Sequence, residues 1–77
     1  MQAIEAVKKV DSKKEPVIGI AETNDMFILA LDNDDEAYKT VNKNTGDIGS
    51  IWIWDYMDLT DRKDFKKLNI DEVRRAS

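Results

Sequence analysis

The stretch Ile51-Trp52-Ile53-Trp54-Asp55-Tyr56-Met57-Asp58 holds both tryptophans and one of the two tyrosines of a 77-residue chain. Read as a strand, it alternates strictly. Trp52, Trp54 and Tyr56 share one face, and Ile51, Ile53 and Met57 share the other with Asp55. Asp55 stands where an apolar residue is expected, which places the strand end there. The run Met26–Leu31 shows the same doubling, with Phe27, Leu29 and Leu31 against Met26, Ile28 and Ala30. A sheet with one wet face would alternate apolar with polar side chains. Both faces of this sheet therefore call for burial.

Working outward, VIGIAE, MFILALD, EAYKTVNK and DIGSIWIWDY read as four strands over about 17–22, 26–32, 36–43 and 47–56. Thr23-Asn24-Asp25, Asn33-Asp34-Asp35 and Asn44-Thr45-Gly46 supply the turns, with Gly46 suited to the left-handed region. Connections this short permit only antiparallel neighbours, so the middle of the chain is a four-stranded meander. Pro16 fits the start of the first strand, where a missing N–H costs least.

Ala3, Ile4, Ala6, Val7 and Val10 recur at helical spacing, predicting a short amphipathic helix over 2–10. Beyond Asp58 the β-formers stop, and LTDRKDFKKLN reads as a helix over about 60–68. Asp58 or Thr60 would be its cap and Phe65 and Leu68 its apolar face, and a further turn follows over 71–76. The expected class is α+β in two layers. Two helices cover one face of four strands, but not easily both. The second cover is then the C-terminal helix or another chain.

Composition sets the limits. With 42% hydrophobic and 36% charged residues, three glycines and one proline, the chain is globular in type. A single domain of this size buries only roughly 60% of the surface its unfolded chain exposes. Without cysteine it rests on packing, aided in one arrangement by self-association as a homodimer. The start lacks a basic segment followed by an apolar run, so no secretory signal is expected in it. The longest apolar run, Met26–Leu31, is far short of the ~20 residues that span a bilayer. A cytoplasmic location without membrane insertion is the expectation.

The net charge of −4 is unevenly spread, because residues 22–58 hold nine acids against Lys39 and Lys43. That acidic middle is the opposite of a basic nucleic-acid footprint, so direct nucleic-acid binding is not expected. An acidic mimic of DNA is a different use of the same charge.

The chain has neither His nor Cys. Their absence removes Ser-His and Cys-His nucleophile pairs, imidazole bases and zinc sites of the usual kind. Gly19, Gly46 and Gly49 match no phosphate-cradling pattern. Asp32, Asp34 and Glu36 alternate like the opening of an EF-hand loop. The sixth position is Ala37 instead of glycine, however, and the twelfth is Lys43 instead of glutamate. A solvated acidic hairpin turn is the reading there. Carboxylate pairs among Asp32, Asp34, Asp47, Asp55 and Asp58 are too many to single out a glycosidase pair. No cofactor is expected, and no catalysis. Arg74-Arg75-Ala76-Ser77 reads as a solvated tail.

The segment Ala37-Tyr38-Lys39-Thr40-Val41-Asn42-Lys43-Asn44-Thr45-Gly46-Asp47-Ile48 resembles the strand, Thr-Gly turn and strand of PepSY-type modules and of small bacterial immunity-type proteins. The resemblance implies an α+β hairpin. It also implies a role in inhibiting or regulating a partner protein, and carries no catalytic residue. For an acidic chain the immunity type is the closer fit.

The expectation is thus a non-enzymatic protein-binding module of bacterial or phage type. Its interface is Trp52, Trp54 and Tyr56 with Asp32, Asp34, Asp35 and Glu36, facing either a second copy or a basic partner. A structural protein that only self-associates through its sheet face is the alternative, beside the DNA mimic.

Overall fold

The computed structural model describes residues 1–32 and 37–76. Among these, the order is α1 (Ala3–Val10), β1 (Val17–Glu22), β2 (Met26–Leu31), β3 (Ala37–Asn42), β4 (Ile48–Trp52), α2 (Ile53–Thr60), β5 (Lys66–Leu68) and α3 (Ile70–Arg75). The class is α+β, with an antiparallel sheet ordered β4-β3-β2-β1-β5. The sheet has five strands where the sequence pattern indicates four.

One face carries the core. Directly paired residues share a face, and the pairings Ile20↔Leu29, Phe27↔Val41 and Ile20↔Leu68 place these side chains together. Ala6 and Val7 of α1 complete the buried cluster with Val17 and Leu31, while Ile70 and Val73 of α3 pack at its margin. The apolar stripe of α1 lies on β1–β3. Burial ends at Val41, and Ile48, Ser50 and Trp52 on the same side of β4 are exposed.

Local chemistry accounts for the joints. Gly46 has φ +78°, and its N–H bonds to the Asn42 carbonyl while Asn42 N–H bonds to the Asp47 carbonyl. That glycine turn joins β3 to β4. A register irregularity between Val17 and Gly19 turns Ile18 outward. Asn69 caps α3 by accepting from Glu72 N–H at 3.1 Å.

Two expectations for the C-terminal half give way. β4 stops at Trp52, and Ile53–Thr60 is helical although the alternation runs to residue 56. Asp55 lies in the first turn of that helix, where a carboxylate faces the positive end of the helix dipole. Its place in the alternation marks a helix start and not a strand reaching water. The expected helix over 60–68 is replaced by a turn and β5. Lys66, Lys67 and Leu68 pair with Glu22, Ala21 and Ile20, since β1 otherwise has a bare edge that this segment satisfies.

The reverse face is covered in part, and by α2. Tyr56 stacks on Tyr38 of β3 with centroids 4.1 Å apart and planes at 11°, and meets Phe65 edge-on at 5.9 Å. Below them Ala21 and Ile28 are buried. The two-layer plan is thereby extended by a short helix on the second side.

Candidate functional site

α2 sorts the opening octapeptide by helical period. Ile53, Tyr56 and Leu59 recur at three-residue steps and are partly buried, whereas Trp54 and Met57, one turn apart, face outward. Trp54 is 72% exposed, Trp52 at the end of β4 64%, Met57 53% and Ile48 52%. Ile48 and Trp52 belong to the α1 side of β4 and Trp54 and Met57 to the helix over the reverse face, so the exposed large apolar side chains lie on both sides of the β4 end of the sheet. The three aromatics are therefore not one strand stripe. Tyr56 is a structural anchor, and Trp52 and Trp54 are the surface.

The segment that bears them carries charge of one sign. From Asn44 to Asp61 the chain carries Asp47, Asp55, Asp58 and Asp61 and no base. Among the described residues, two cations reach it from other elements: Lys39 of β3, its ammonium 2.9 Å from the Ser50 hydroxyl, and Lys9 of α1, which donates to the Gly46 carbonyl at 3.3 Å. Of the expected interface residues, Trp52, Trp54 and Asp32 are exposed. Asp34, Asp35 and Glu36, and with them the calcium-loop pattern, lie outside the described residues. Among the described residues no three acids stand close enough together to hold a metal ion. No helix among them is long and apolar enough to cross a membrane.

A concavity of about 430 Å³ opens on the reverse face. Its floor is Gly19, Ala21 and Ala30, and one wall is the Tyr38–Tyr56 stack. Small floor residues and a bulky wall make it a shallow slot. The slot exists because α2 covers only one end of this face.

The ionisable groups with displaced pKa values serve the scaffold. Asp11 is held below its ordinary value by hydrogen bonds from the Arg74 guanidinium and then from Val17 N–H at 2.8 Å. Arg74, raised in turn, also donates to the Val17 carbonyl at 2.8 Å, so this pair ties α1, β1 and α3 together. Arg74 is thus docked, and the tail reading applies only beyond it. Asp64 is lowered first by Asn24 N–H and then by Arg62, which binds it through two nitrogens. That bond fastens the turn bearing Phe65 to the β1–β2 hairpin. All three groups lie apart from the tryptophans in sequence and in role.

Only part of this surface is visible in the sequence. The acids and tryptophans can be counted there, but the separation of Tyr56 from Trp54 cannot. The helical step from Ile53 to Tyr56 was the available signal, masked by the stronger alternation.

Fold and surface together define a small α+β domain, an antiparallel sheet with helices on both faces and an acidic, tryptophan-bearing rim. No family model matches the chain, and no curated protein or solved structure matches it either.

Proposed function

We propose that this chain is a non-enzymatic, cytoplasmic protein-binding module whose contact surface centres on Trp52 and Trp54 and whose partner is a basic protein. The observation that carries the reading is two tryptophans, 64% and 72% exposed, on a segment with four acids and no base. Exposing indole to water is unfavourable, and tryptophan is among the residues that dominate binding energy when a partner buries it. The acids around it would speed encounter with a cation-rich surface and disfavour a second acidic copy. An immunity or inhibitor role of bacterial or phage type, in which an acidic chain occupies a basic protein, is the form of this reading that the charge supports.

The test compares immobilised wild-type protein with a Trp52→Ala/Trp54→Ala double variant in host lysate. A specific basic protein should be retained by wild type at low salt and lost from the double variant. It should be released near 1 M salt, where the Debye length is only about 3 Å. Equal retention by the double variant would remove the tryptophans from the reading, and retention indifferent to salt would remove the acids.

A further inference from the structure

The two edges of the sheet are unlike. β5 is three residues long and carries Lys66 and Lys67, two devices that keep an edge from pairing with another chain. β4 has neither. Its five residues, Ile48-Gly49-Ser50-Ile51-Trp52, include no charge and no proline, and all but Ile51 are exposed. Among the described residues no strand pairs with its outer edge.

The phase of the ladder shows which groups that edge offers. Asn42 N–H bonds to the Asp47 carbonyl at 2.9 Å, and the register then runs Val41↔Ile48, Thr40↔Gly49, Lys39↔Ser50, Tyr38↔Ile51 and Ala37↔Trp52. In an antiparallel pair, residues that exchange both hydrogen bonds alternate with residues that exchange none. Gly49 and Ile51 therefore bond inward to β3. The peptide groups of Ile48, Ser50 and Trp52 point away from the sheet. The Trp52 carbonyl is committed to the first turn of α2, whose N-cap Trp52 is, while its N–H stays outward.

Side chains fit the same use. Ile48 and Trp52 stand on one side of β4 with the small Ser50 between them, its hydroxyl accepting from the Lys39 ammonium at 2.9 Å, so an incoming side chain at the centre meets two apolar flanks. On the other side Gly49 lies under the Thr40 hydroxyl, 2.9 Å from where a Cβ would stand, which keeps that position side-chain-free. Asp47 precedes the strand and Asp55 and Asp58 follow it, so both ends of the edge are acidic.

We infer that the outer edge of β4 takes up an extended, lysine- or arginine-bearing segment of a partner protein as a sixth, antiparallel strand. The inference rests on the protein-binding reading above and specifies its geometry. Backbone hydrogen bonds to Ile48, Ser50 and Trp52 supply register, Ile48 and Trp52 flank the central side chain, and the acids engage cations at both ends. A second copy of this chain would instead bring these three acids against the same three.

The probe is a peptide of alternating valine and lysine long enough to span β4 and its flanks, titrated against the full chain with amide exchange followed by NMR. Binding should saturate and slow exchange at Ile48, Ser50 and Trp52 by about tenfold or more, whereas Gly49 and Ile51 are protected beforehand. Ser50→Pro removes an outward donor and no backbone bond to β3, and should weaken binding about tenfold, the effect of one lost hydrogen bond; the Lys39–Ser50 side-chain bond that it also removes is lost equally in Ser50→Ala. Ser50→Ala should bind as wild type. Independently of any variant's folding, N-methylation of alternate peptide amides should abolish binding in one phase and spare it in the other.

No saturable binding, or equal binding of both methylated phases, overturns strand addition. Binding lost in Trp54→Ala but indifferent to methylation phase overturns the strand geometry and leaves the tryptophan surface standing. Indifference to both overturns the two readings together. Concentration-dependent association of the protein alone in sedimentation would put a second copy on the edge and overturn the heterologous occupant.

Discussion

Replacing Tyr56 by alanine removes the ring that fastens α2 to the reverse face of the sheet. Two ring contacts go with it, the stack on Tyr38 at 4.1 Å and the edge contact with Phe65 at 5.9 Å. Each aromatic pair contributes about 0.5–1.5 kcal/mol beyond area burial. A half-buried tyrosine ring also keeps roughly 100 Å² from water, about 2.5 kcal/mol at 25 cal/mol per Å². These terms overlap, and α2 relaxes when its anchor is lost, so the expected cost is about 3 kcal/mol. A chain of this length has a total stability of only about 4–12 kcal/mol. In urea unfolding followed by far-UV circular dichroism, an m-value near 1 kcal/mol/M converts that loss to a midpoint about 2–3 M lower. Tyr56→Phe keeps both ring contacts and should stay within about 0.5 kcal/mol of wild type. So should Trp54→Ala, whose ring is mostly in water. A Tyr38→Ala/Tyr56→Ala cycle should show coupling of about 1 kcal/mol. The reasoning is refuted if Trp54→Ala costs as much as Tyr56→Ala, since the two would then share one buried stripe as in a continuous strand. Strict additivity of the cycle would equally deny the stack.

Gly46→Ala forces a side chain to φ +78° beside the Lys9 ammonium, 3.2 Å from the added carbon, and should cost about 1–2 kcal/mol in the same assay. Gly46→Asn should cost less, because asparagine tolerates that region better; equal losses would mean that crowding and not the backbone decides. For pH, Asp11 has a folded pKa below its ordinary 3.8. Its contribution is therefore present above that value and is lost as pH falls through the lower folded value. Urea midpoints measured from neutral pH into this acid window should fall less steeply for Asp11→Asn than for wild type. Parallel curves would show that Arg74 and Val17 do not stabilise the charged form.

Much of the architecture is legible in local pattern. β1 and β2 follow from short β-rich runs bounded by turn residues, and Gly46 from the need for positive φ. The stripe from Ala3 to Val10 marks α1, since only a helix gathers those residues on one side. At Ile53 the local signals conflict. Isoleucine and aromatics favour strand, and the alternation from Ile51 to Tyr56 supports it, yet the same letters also give the helical step Ile53, Tyr56, Leu59. What decides is that Tyr56 can reach Tyr38 and Phe65 only if the chain turns back over the sheet at Trp52. β5 is the second such case. Lys66 and Lys67 have little strand character of their own, and their pairing follows from a bare β1 edge.

The surface divides in the same way. By itself the sequence determines that the middle of the chain is acidic, that both tryptophans lie within it, and that no histidine or cysteine chemistry is available. These are properties of residue type and need no coordinates. Only the tertiary structure decides that Tyr56 turns inward while Trp52 and Trp54 stay in water, and that β4 rather than β5 offers an unprotected edge. The physical reason is that burial and edge exposure are set by what lies across the sheet. α1 spans β1–β3 and stops short of β4, and α2 covers one end of the reverse face. The opening octapeptide is divided between anchor and surface by neighbours distant in the chain.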